Sequence, residues 1–213
     1  MTNIKVITNY LDEIYKEPIC ELNYNLDYEL LIATVLSAQS TDKRVNQVTQ
    51  ILFNNYNIYD LAKLDIDIIK EIIKPVGTFN KKAIYIKEIS EKLINDYQGK
   101  VPNNRSYLES LPGVGRKTTN VVLGELYQVP TIAVDTHVSR VSKRLNLVKE
   151  KDNVLQTEKK LMKLIPKEDW IKFHHQLVLF GRYNQLVLFG RYNCKSIKPN
   201  CNICKLKNIC KKP

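Results

Sequence analysis

The stretch Leu111–Asp135, LPGVGRKTTNVVLGELYQVPTIAVD, decides how this chain is read. A proline and two glycines spaced Gly-Val-Gly lead into a helix-like run that carries Lys117, and the stretch closes eighteen residues later on Asp135. Glycines ahead of a helix let the backbone come close to an anion, and the first-turn amides together with the helix dipole favour a phosphate there. Lys117 stands one turn beyond that position.

Outward from this stretch the chain reads as helix after helix. Residues 104–111 predict a short helix and 117–127 a second, so helix, Gly-x-Gly turn and helix form a hairpin. Beyond Pro130, Asp135 precedes Thr-His-Val-Ser-Arg-Val, where its plainest job is to cap a helix over 136–146. Upstream, residues 3–16 show helical spacing, and Tyr28–Ala38 is apolar nearly all round, as a buried central helix would be. Ser40, Thr41 and Asp42 supply start signals for a helix to about Tyr56. Short helices are expected near 58–64 and 65–74. Pro75-Val-Gly77 interrupts, 80–97 resumes, and Gly99 is a helix stop. Residues 153–164 predict another amphipathic helix, and a last one should begin before His174-His175, with Trp170 in the core. No segment alternates with period two over a useful length, so the fold class is all-α.

Composition bounds the partner. With 33 basic residues against 22 acidic, the formal charge of +11 points to an anionic partner, nucleic acid first and anionic membrane second. At 213 residues the chain is one large domain or two lobes, long enough to bury roughly 70 % of its unfolded surface. The N-terminus has no apolar core of signal-peptide type, and no run approaches the roughly 18 apolar residues of a membrane span, so a soluble intracellular protein is expected. Reducing conditions there argue for cysteines that are ligands or thiols rather than disulfides.

Four of the five cysteines, Cys194, Cys201, Cys204 and Cys210, are spaced C-x6-C-x2-C-x5-C near the end of the chain. Such a set suits an iron–sulfur cluster or tetrahedral zinc, and spacing alone leaves both open. The surrounding Lys195, Lys198, Lys205, Lys207, Lys211 and Lys212 make this tail a second phosphate contact. Cys20 reads as a small core residue. Residues 176–184, QLVLFGRYN, recur without change at 185–193. Nine helical residues advance about 13.5 Å and turn roughly 900°, which leaves the copies on opposite faces of a continuous helix. Only one copy can pack, and the other nine residues are surplus; reduced stability or reduced affinity for the anionic partner is the expected consequence.

LPGVGRKTTNVV followed by VDTHV, with the terminal cysteines, resembles the endonuclease III family, bifunctional pyrimidine-damage DNA glycosylases of the helix-hairpin-helix superfamily. The likeness runs from LSAQSTD at 36–42 to the last cysteine. It implies two helical lobes: a six-helix barrel lobe of residues 20–129 holding the hairpin, and a lobe of 1–19 with 130–213 holding a 4Fe-4S cluster on Cys194, Cys201, Cys204 and Cys210. Double-stranded DNA with a damaged pyrimidine or an abasic site would lie in the cleft between them. The resemblance further implies a cytoplasmic, nucleoid-associated monomer.

Carried over residue by residue, the resemblance makes Lys117 the nucleophile at the sugar C1′ and Asp135 the carboxylate that assists its deprotonation or stabilises charge on the sugar. Gly113, Val114 and Gly115 would offer backbone amides to a DNA phosphate. Gln39 would fill the gap left by an extruded nucleotide. At the second void-filling position the family commonly carries leucine and this chain has Thr78, a weaker wedge, which leaves Val76 as the other opening residue. His137 belongs to the motif and either touches substrate or satisfies local hydrogen bonds. Singly, Lys117 reads as a solvent-facing helix lysine and Asp135 as a cap; the hairpin joins them. A sister glycosylase of the adenine-mismatch type has similar cysteines but no lysine at this position, oxidised-guanine glycosylases lack the cysteine tail, and a non-catalytic helix-hairpin-helix DNA-binding protein is the alternative of a different class.

Overall fold

The computed structural model describes residues 3–183 and, in the tail, 201–203, 207 and 210. Among these the secondary structure is helical, with no strand, as the periodicity requires. No helix among the described residues is long and apolar enough to cross a membrane. The helices gather into two compact units, one of Cys20–Val129 and one of Met1–Ile19 with Pro130–Pro213.

In the continuous unit, α2 (Asp27–Leu36) is the central helix, with every residue from Tyr28 to Leu36 buried. Leu30, Leu31 and Ile32 are fully enclosed, and each such side chain contributes about 1.5 to 3 kcal/mol relative to exposure. Around it run α3 (Asp42–Asn55), α4 (Ile58–Lys63), α5 (Ile66–Ile73), α6 (Phe79–Tyr97), α7 (Arg105–Ser110) and α8 (Arg116–Tyr127). Caps stand where short polar residues precede apolar runs: Thr41 Oγ1 accepts from the Arg44 amide, Asn57 from Tyr59 and Asp60, and Asn104 from Tyr107. The central helix ends two residues earlier than its apolar run because Ser37 Oγ turns back to the Thr34 carbonyl at 2.8 Å and Gln39 takes a left-handed backbone, φ 57°.

The discontinuous unit holds α1 (Asn3–Ile14), α9 (Thr136–Arg144), α10 (Val154–Leu164) and α11 (Trp170–Arg182), with a 3-10 turn at Lys167–Asp169. Its core combines Ile7 and Leu11 with Val138, Val141, Leu161, Phe173, Leu177 and Phe180. Trp170 packs at the edge of this core, its Nε1 donating to the Ile165 carbonyl at 2.9 Å, and His174 and His175 are buried beside one another. Gln176 ties α11 to α1 by donating to Asp12 Oδ1 at 2.8 Å and to the Tyr15 carbonyl at 3.1 Å. The first copy of the duplicated segment packs in this core, with Leu177, Val178 and Phe180 buried. The second copy lies outside the described residues.

Candidate functional site

The hairpin is built from the turn between α7 and α8. Gly113 has φ 73°, and a Cβ there would stand 2.5 Å from Tyr85 Cδ2, so both the backbone and the neighbouring ring demand glycine. Gly115 is different. It is the N-cap of α8 with extended backbone, and a Cβ on it would meet nothing within 4 Å. Val114 departs from expectation: its amide donates to the Leu111 carbonyl at 3.1 Å and its side chain is buried, because a turn this tight consumes that donor. Gly113 and Gly115 remain as the exposed positions of the turn. Arg105 braces the two helices by donating to Asn120 Oδ1 at 2.8 Å. As the N-cap, Gly115 has no side chain to cap α8, and the N-terminal end of a helix favours an anion.

Lys117 is the second residue of α8 and half-buried, at a helix end whose field opposes a positive charge. Near it, Cys20 packs partly buried against the core. Burial, with lesser contributions from Glu125 and Asp42, pushes the Cys20 thiol up to about 12 against the opposing charge of Lys117. That thiol stays protonated and is a bystander, as a core cysteine should be.

Gln39 and Thr78 are brought together within the same unit. Both are exposed and both have left-handed backbone, φ 57° and 55°, which is uncommon without glycine and an outlier for a β-branched residue such as Thr78. Their loops touch: the Gly77 amide donates to Ser40 Oγ at 3.0 Å, and a Cβ on Gly77 would stand 3.0 Å from the Gln39 carbonyl. Val76 is not presented at the surface. It is 2 % exposed in the core, because the apolar member of Pro-Val-Gly turns inward to anchor the loop. A residue the sequence did not single out holds this arrangement. Lys82, 3 % exposed on α6, donates to the carbonyls of Leu36 at 2.9 Å and Ala38 at 2.6 Å. Burial pulls its pKa below the ordinary 10.5. A lysine inside an amphipathic helix gives no sign of burial until its partners are known.

In the other unit Asp135 caps α9, its Oδ1 accepting from the Val138 amide at 2.7 Å. No hydrogen bond to Oδ2 is seen among the described residues. His137 lies in the first turn of α9, with Arg140 Nη2 3.3 Å from its Nδ1 and donating at 2.8 Å to the Gly181 carbonyl. A Cβ on Gly181 would stand 2.8 Å from that of His137, so this glycine lets α11 close on α9. Of the expected metal ligands, Cys201 and Cys210 are half-buried, while Cys194 and Cys204 lie outside the described residues. Charge divides between the units as well. Cys20–Val129 carries as many acidic as basic residues, so the formal excess of +11 falls in the segments that flank it.

Residues 32–167 match the family described as HhH-GPD superfamily base excision DNA repair protein. The match and the helical hairpin define the class, a helix-hairpin-helix protein of base excision DNA repair. Endonuclease III of Bacillus subtilis (strain 168) is 44 % identical over 215 residues, which cover 99 % of this chain and 94 % of that one. A trapped endonuclease III–DNA covalent intermediate superposes with a TM-score of 0.87 at 42 % identity, and a non-covalent endonuclease III–DNA complex with 0.87 at 44 %. Each structure match covers 99 % of this chain and 96 % of the other. The chain belongs to the endonuclease III family.

Proposed function

We propose that this chain is a base-excision-repair DNA glycosylase with AP lyase activity, which removes oxidised pyrimidines from duplex DNA and then cleaves 3′ to the abasic site. Membership of the endonuclease III family supports the reaction class. The observation that carries the mechanism is the position of Lys117, in the first turn of α8 directly behind the glycine turn, where a phosphate held by the hairpin would bring a sugar within reach of its amine.

As the free amine, Lys117 attacks C1′ of the target sugar. The C1′–N bond to the base breaks, and the base leaves with a proton. Opening of the sugar ring gives a Schiff base between Lys117 Nζ and C1′, which makes the C2′ protons acidic. Loss of one of them expels the 3′ phosphate oxygen by β-elimination, and water then releases the lysine. Asp135 serves as the carboxylate of this chemistry, taking a proton or stabilising positive charge on the sugar through the oxygen its cap leaves unused. Gly113 and Gly115 dock the backbone of the DNA, and Gln39 and Thr78 enter the space of the extruded nucleotide.

The donor set at Cys194, Cys201, Cys204 and Cys210 suits a 4Fe-4S cluster, four thiolates in a short span. Such a cluster would supply a structural cross-link that holds the surrounding lysines as a basic docking surface, since no step of the lyase chemistry transfers an electron. In this reading residues 20–129 are the hairpin lobe and 1–19 with 130–213 the cluster lobe.

Borohydride trapping tests the reading. Reduction of the Schiff base on duplex DNA with an oxidised pyrimidine or an abasic site yields a stable covalent adduct, and Lys117→Gln abolishes it. No adduct from the intact chain, or one that survives Lys117→Gln, sinks the mechanism. Iron and sulfide analysis of the purified protein separates a cluster from zinc.

A further inference from the structure

Burying an ammonium is unfavourable unless its protons are taken. At Lys82 two are taken by backbone carbonyls, Leu36 at the end of α2 and Ala38 just beyond it, where the negative end of a helix dipole also favours a cation. No carboxylate lies in ion-pair reach of Lys82 among the described residues. The bonds thus end on the last residue of α2 and on Ala38, immediately before Gln39. From the other side, Ser40 Oγ holds the Gly77 amide, one residue before Thr78. Left-handed backbone at Gln39 and Thr78 costs free energy that the surroundings must supply. Lys82 and Ser40 are two side chains whose hydrogen bonds tie these turns down from outside their own loops.

We infer that Lys82 is a positioning residue: its enclosed ammonium, clamped on the Leu36 and Ala38 carbonyls, presets the exposed tips at Gln39 and Thr78 for entry into a distorted duplex. This rests on the reading of Gln39 and Thr78 given above. Lys82 does not touch DNA. It acts through the conformation of two turns, so its removal weakens recognition of a gapped or abasic site while leaving contacts to regular backbone in place.

Fluorescence anisotropy tests this on two duplexes, one carrying a tetrahydrofuran abasic analogue and one undamaged. Lys82→Met is expected to reduce the preference for the tetrahydrofuran duplex roughly tenfold, with undamaged binding little changed. Lys82→Arg, which keeps the charge and donors, restores part of the preference. A merely destabilised protein loses active molecules for both duplexes alike. Gln39→Ala lowers the preference in the wild type and adds nothing in the Lys82→Met background. If Gln39→Ala keeps its full effect there, Lys82 does not act through that turn and the inference fails, while the reading of Gln39 stands. If Gln39→Ala has no effect in the wild type, the reading of Gln39 falls and takes the inference with it. Should Lys82→Met not fold, Ser40→Ala breaks the second tie. It is expected to lower the preference by a smaller factor, non-additively with Gln39→Ala, and additivity overturns the inference.

Discussion

The ring of Tyr85 occupies the place where a side chain on Gly113 would stand, with Cδ2 2.5 Å and Cε2 2.9 Å from the ideal Cβ position. Two residues later, Gly115 faces open space and has a backbone that any residue adopts. The two glycines of one motif therefore do different work. Gly113→Ala meets both a positive φ and a ring, and should destabilise the continuous unit by about 1 to 3 kcal/mol. Gly115→Ala should change stability by less than roughly 0.5 kcal/mol, yet weaken duplex binding if DNA backbone approaches there. Thermal melting and anisotropy on the same two proteins separate the effects, and normal binding by a stable Gly115→Ala removes Gly115 from the docking surface.

At Asp135 the cap uses Oδ1, and the chemical role proposed for the carboxylate can be separated from it by substitution. Asparagine caps a helix as well as aspartate but carries no charge, whereas alanine does neither. Asp135→Asn is expected to melt within roughly 0.5 kcal/mol of the wild type, and Asp135→Ala to lose about 1 kcal/mol. Both should lose glycosylase turnover by on the order of a hundredfold or more. Turnover retained in Asp135→Asn with loss only in Asp135→Ala would leave Asp135 as a cap and nothing else.

What was legible in the sequence follows the range of the interactions involved. Caps at Thr41 and Asp135 act within three residues and the stop at Gly99 within six, so their chemistry could be read from their neighbours. The glycine turn was legible as a turn, but the reason Gly113 must be glycine lies on α6, at Tyr85. Val114 shows a different limit: the partner of its amide, Leu111, is only three residues away, but which amides a glycine turn consumes depends on its backbone angles and not on residue type. Lys82 was invisible because its partners, Leu36 and Ala38, are more than forty residues away and are carbonyls, which every residue has. Which copy of the duplication packs could not be decided between identical strings.

His137 makes stability pH-dependent with a definite sign. Burial first, and then the charges of Arg140 and Arg182, hold its pKa below the ordinary 6.5 against the pull of Asp135. In the window between its folded pKa and 6.5, the unfolded chain binds a proton that the folded chain does not. Stability therefore rises with pH through that window, is full above 6.5 and falls on acidification. Going from about pH 7.5 to about 5.5 should cost the wild type more stability than it costs His137→Gln. Melting curves at the two pH values check it, and identical losses in both proteins exclude His137 as the cause.

The duplication makes the last prediction. The first copy supplies Leu177, Val178 and Phe180 to the core of its unit and Gln176 to Asp12, so residues 185–193 fall between a completed helix and Cys194. Deleting them should leave that packing intact and strengthen duplex binding; equal affinity with and without them would show the insertion to be neutral. A second substitution asks whether the copies compete. In the deletion variant Leu177→Ala opens a cavity that nothing can refill and should cost about 2 to 5 kcal/mol. In the full chain the identical second copy can take the vacated place, at the lesser cost of looping out nine residues ahead of it. Leu177→Ala should then cost the full chain less than the deletion variant, and equal losses in the two backgrounds would mean that α11 is held in one register by the residues before the repeat, Phe173 foremost.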